Sequence, residues 1–187
     1  MTRVGAWIAA LVLAGVAAQA ADSVCTVATS GVAFGSYNPL GGQSADTNGT
    51  IAVTCSGAVG DTATYSLQIT AGLGSFSARK MVSGGDSLTY NLYTDSGCTQ
   101  VWGDGTASTS IVSDSVILTS SSLTTRYVVY SRIAGGQRTV KAHAYSDSLL
   151  VRVTYKGRFK AAAGLTCEAG HHSRQSRSYP CPALLRG

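Results

Sequence analysis

The chain has 187 residues, 14 Lys and Arg against 9 Asp and Glu, and a formal net charge of +5. The excess sits at one end: Asp22 to Tyr155 carries 7 basic and 8 acidic residues, whereas Lys156 to Gly187 carries 6 basic residues against Glu168 alone. The basic balance is therefore no sign of a nucleic-acid-binding surface on the body of the chain.

Residues 1–20 have the layout of a secretory signal peptide. Arg3 supplies a positive start, Val4 to Val16 an apolar run, and Ala18-Gln19-Ala20 small residues for cleavage before Ala21. The run is shorter than the ~20 residues that span a bilayer, so the expectation is export by the Sec route to the periplasm, with a non-cleaved anchor as the alternative.

Residues 21–155 suit one domain with one core. The segment is rich in Ser, Thr, Val and Gly and lacks a helical apolar stripe, which predicts sheet throughout. Predicted strands follow in order: Cys25 to Phe34, Thr50 to Cys55, Thr64 to Ala71, Ser87 to Thr94, Ile111 to Thr119, Arg126 to Ile133, Gln137 to His143 and Asp147 to Tyr155. Alternation is cleanest where Ile51, Val53 and Cys55, or Tyr65, Leu67, Ile69 and Ala71, interleave with mostly polar neighbours. Asn38-Pro39, Gly41-Gly42, Gly84-Gly85 and Gly135-Gly136 supply the turns. Many short antiparallel strands imply a β-sandwich, with a barrel as the second choice.

Cys25 and Cys55 lie on the first two predicted strands, and an exported chain meets an oxidising compartment, so these two are expected to form a disulfide. Its loop of about thirty residues would stabilise by roughly 3 to 4 kcal/mol. Cys98 is read as a free thiol, its candidate partners being Cys167 and Cys181 in the tail.

Residues 156–187 show no strand pattern and read as a disordered extension or as translation in a shifted frame. Cys167, His171, His172 and Cys181 do not have a usual zinc spacing, and Asp104 lacks the further carboxylates of a calcium loop, so no metal or other cofactor is expected. Catalysis has little to stand on. The body holds one histidine, His143, beside an Asp147 read as a turn residue; it has no Glu and no nucleophile elbow. Of the aromatics, Tyr37 alone is expected to be exposed, in a turn-like context.

Several blocks in sequence order carry a resemblance. Cys25-Thr26-Val27, Val32-Ala33-Phe34-Gly35-Ser36-Tyr37-Asn38-Pro39, Gly49 to Cys55, Leu88 to Asp95, Val101 to Thr106, Tyr130-Ser131-Arg132-Ile133 and Tyr145-Ser146-Asp147 closely resemble the spore coat protein U domain. The resemblance implies an all-β, incomplete immunoglobulin-like β-sandwich that lacks its final strand and is completed by a donor strand. It implies a non-enzymatic structural or adhesive subunit of surface pili of the archaic chaperone-usher type. Its partners would be a periplasmic pilus chaperone, an outer-membrane usher and other pilus subunits, with a role at the cell surface in adhesion, biofilm or coat.

On this pattern Leu149, Val151, Val153 and Tyr155 of the last predicted strand line the donor-strand groove; the alternative is that they are ordinary core residues of a complete sandwich. Ahead of Cys25, Ala21 to Val24 reach about 13 Å, too short to donate a strand, which suggests a tip position. A self-contained secreted binding module, for instance for carbohydrate, is the alternative function.

Overall fold

Sheet-forming composition and period-two alternation give ten strands and, among the described residues, no helix. The structure is a computed structural model that describes residues 23–155 and, with side chains for only part of the second stretch, 158–170. The expected signal peptide, His171, His172 and Cys181 lie outside the described residues. The strands are β1 (Val24–Thr29), β2 (Val32–Ser36), β3 (Ala45–Ser56), β4 (Thr62–Ile69), β5 (Arg79–Ser83), β6 (Asp86–Tyr93), β7 (Val112–Ile117), β8 (Ser122–Ile133), β9 (Tyr145–Tyr155) and β10 (Arg158–Gly170).

Hydrogen bonding runs in the order β1-β3-β8-β6-β5-β9-β10-β2, with β4 between β7 and β9. The path curls on itself as an immunoglobulin-like sandwich. One layer is β1-β3-β8-β6, the other is β7-β4-β9-β10-β2, and β5 links them through the single pair Val82 and Ser146. Inward residues of both layers meet in one core, among them Ile51 and Val53 of β3, Leu88 and Leu92 of β6, Leu67 and Ile69 of β4, and Val151 and Val153 of β9. These are the positions that alternation along each strand marks as apolar.

The predicted strand Cys25 to Phe34 is two strands in different layers. β1 pairs with β3, and β2 pairs with β10. Gly31, at a φ of 74°, makes the switch, in a backbone region that other residues seldom adopt. Gly49 opposite has no room for a side chain: a Cβ there would lie 2.5 Å from the Gly31 carbonyl oxygen. Alternation continues through the switch, which is why sequence alone joins the two.

The predicted strand Gln137 to His143 is a loop. Gln137 replaces sheet pairing with side-chain bonds, its Oε1 accepting from the Thr89 N–H at 2.8 Å and its Nε2 donating to the Thr89 carbonyl at 2.7 Å. β5, which is not among the predicted strands, pairs antiparallel with β6 from Arg79 opposite Tyr90 to Ser83 opposite Asp86.

Cys25 and Cys55 face each other across the β1/β3 ladder and are disulfide-bonded, with a Cα separation of 4.0 Å. The expected pairing is present. Cys98 carries a free thiol.

Candidate functional site

β9 is the strand whose alternation is most regular, and its odd positions turn inward: Leu149, Val151, Val153 and Tyr155 are all buried. One edge of β9 is covered by β4, from Tyr155 opposite Tyr65 to Val151 opposite Ile69. The other edge is where the donor-strand groove is expected. Along it β10 runs antiparallel to β9 over the whole strand, from Arg158 opposite Tyr155 to Ala169 opposite Tyr145, with a register shift between Ala162 and Gly164. Its far edge pairs in parallel with β2, Cys167 opposite Val32.

β10 therefore occupies the place of the final strand between β9 and β2. Without β10 the facing edges of β9 and β2 would be unpaired, and here the strand between them comes from the chain's own residues 158–170 rather than from a partner. The expectation of a tail without strand structure is corrected for Arg158–Gly170. Leu165 and Cys167 enter the core, both 0% exposed, while Gly164 and Glu168 face out. The local alternation Gly164-Leu165-Thr166-Cys167-Glu168 was too short, after three alanines, to stand out as a strand. Thr29 Oγ1 of β1 donates to the Gly164 carbonyl at 2.8 Å and ties the filled groove to the other layer.

A polar cluster lies behind β10. Tyr90 Oη donates to Asp147 Oδ2 at 2.8 Å, and Asp147 faces Cys167 across the β9/β10 ladder. Asp147, expected in a turn, is a buried residue of β9. Burial pushes the Tyr90 phenol up and the Cys167 thiol up to about 12. Nearby Arg79 is fully buried, and burial draws its guanidinium down. It is held by the carbonyls of Thr70 and Trp102, at 3.1 and 2.7 Å from Nη2, and by Asn91 Oδ1 at 2.6 Å from Nη1. Nothing in the spacing of Arg79 announced a buried cation, because a lone Arg at a strand start resembles any surface charge.

His143, the sole histidine of residues 21–155, stands 3.7 Å from Asp86 on the surface. Tyr37, expected to be exposed, is buried, its hydroxyl donating to the Ala134 carbonyl at 2.8 Å. What the arrangement around β9 offers is a seat for an extended strand: the ladder edges of β9 and β2, both taken by β10 here, and a row of apolar positions between them.

The model of the spore coat protein U domain matches residues 10–152. The chain belongs to this family. The matched span ends within β9, and β10 lies beyond the matched residues. No curated protein matches the chain. Among solved structures the domain is similar to CfaE, the adhesive subunit of CFA/I fimbria of enterotoxigenic Escherichia coli, at 12% identity, a TM-score of 0.43 and coverage of 75% of this chain and 45% of CfaE. It is also similar to AggA, the major subunit of aggregative adherence fimbriae type I of Escherichia coli, at 14% identity, a TM-score of 0.42, and 82% and 98% coverage. A third is the enterotoxigenic Escherichia coli CssB subunit complemented with a donor strand from CssA, at 17% identity, a TM-score of 0.42, and 79% and 97% coverage. The chain spans less than half the length of CfaE.

Proposed function

We propose that the chain is a non-enzymatic structural or adhesive subunit of surface pili, exported to the periplasm and assembled by a chaperone and an usher through strand complementation. The observation that supports this reading is the seat of β10. A strand beyond the matched residues 10–152 pairs with both β9 and β2, and Leu149, Val151 and Val153 of β9 are buried beside it. A domain that ends at β9 leaves two unpaired ladder edges over apolar residues, a surface that aggregates unless another strand pairs with it. A chaperone strand, and then a strand of a neighbouring subunit, would take the place that the tail holds here.

A second reading is favoured by the same strand. Because β10 comes from the same chain, the protein can close its own groove and act as a self-contained secreted binding module.

Expression of residues 21–155 and of residues 21–187, each alone and with a pilus-type chaperone, tests both. The pilus reading expects the shorter form to aggregate alone and to be recovered in a one-to-one complex with chaperone. A cooperatively melting monomer of residues 21–155 would sink it. A full chain that folds alone and neither binds chaperone nor accepts an added strand peptide would leave the module reading.

A further inference from the structure

At the end of the sandwich where β9 starts, the loop that replaces the predicted strand Gln137 to His143 folds over β6 and encloses a pocket of about 310 Å³, within the range of small-ligand sites. Its floor is apolar and aromatic, from Tyr37, Leu88 and Tyr145, all buried. Its charged lining residues, Arg138 and Lys141, are both basic, and His143 lines it beside them.

The pocket is held in shape by its own bonds. Tyr37 donates to the Ala134 carbonyl and Tyr145 Oη to the Lys141 carbonyl at 2.9 Å, so both rings are fixed. Gln137 clamps the loop to Thr89 from both sides of its amide. Asp86 is the nearby carboxylate, and it serves Lys141 at 3.2 Å and His143 at 3.7 Å. Arg138 has no ion-pair partner among the described residues.

We infer that this pocket is a binding site for a uronic-acid sugar of an acidic polysaccharide. The carboxylate meets Arg138 and Lys141 at the mouth, where charge-assisted bonds are the strong ones. The carbon face of the ring lies on the tyrosine and leucine floor. A neutral sugar would use the floor and leave Arg138 without an anionic partner, so acidity sets the preference. None of the residues that line the pocket belongs to β10.

The test is calorimetric and NMR titration of the mature full chain, or of its chaperone complex if that is the soluble form, with trigalacturonate and with neutral galactotriose. The expected result is saturable binding of the acid with shifts at Tyr37 and in Arg138 to Tyr145, and about ten-fold or weaker binding of the neutral trimer. Arg138→Ala with Lys141→Ala, both exposed, is expected to weaken binding about ten-fold or more, and Ala142→Trp to block it while the spectrum stays folded. No saturable binding, equal affinity for the neutral trimer, or an unchanged affinity in the double variant would overturn the assignment. Chaperone dependence is read in the same preparations, so the pilus reading and the sugar site fail separately.

Discussion

Tyr90 of β6 donates its hydroxyl to Asp147 of β9 at 2.8 Å, and both residues are 2% exposed. This bond joins the two layers directly behind the strand that closes the groove. Its weight comes from burial, since a carboxylate oxygen without its donor has no water to turn to.

Tyr90→Phe keeps the ring and removes the donor. The expected cost is about 1–3 kcal/mol of stability, measured as a lower urea midpoint at unchanged slope. An unchanged midpoint would mean that the Asp147 carboxyl finds another partner.

The Cys167 thiol gives a pH signature. Burial pushes it up to about 12, so the native state keeps the proton that an unfolded or undocked thiol releases near 8.5. A raised folded pKa means that its contribution to stability is intact below about 8.5 and is lost as pH climbs from there toward 12. The docking of β10 should therefore weaken at alkaline pH, and Cys167→Ala should flatten that loss.

Thiol labelling reads the same strand directly. In a Cys181→Ser background, the partly exposed Cys98 should react first with an aromatic disulfide reagent at pH 8, and Cys167 only as fast as β10 leaves the groove. Equal rates at the two thiols would show that β10 is not docked in solution.

Arg79→Lys is expected to cost about 2–4 kcal/mol although the charge is kept. A compact ammonium cannot reproduce the fork that reaches Thr70, Trp102 and Asn91 at once. Thermal melting of the variant beside Lys80→Arg, an exposed neighbour, checks this.

Removing the disulfide by Cys25→Ala with Cys55→Ala is expected to lower stability by about 3–4 kcal/mol, the chain-entropy value for residues separated by 30 positions. Denaturant unfolding with and without reductant measures it.

Much of the core could be read in advance because alternation is a local property. Ile51, Val53, Leu67, Ile69, Val151 and Val153 are apolar at every second position, and each is buried where that period places it. The disulfide followed from two cysteines on neighbouring strands. The loop over the pocket did not, because Gln137 to His143 carries a strand-like mixture of residues and its pairing is taken by a single amide side chain.

The amino-acid sequence by itself determined an all-β chain, the inward face of most strands and the family to which it belongs. Each rests on short-range pattern or on blocks of motif. Tertiary structure decided what is set by distant partners: the switch of layers at Gly31, the burial of Arg79 and Asp147, and the seat of Arg158–Gly170 beside β9. A strand's neighbour is chosen by an open edge far away in the chain, and an open edge leaves no mark in the local sequence.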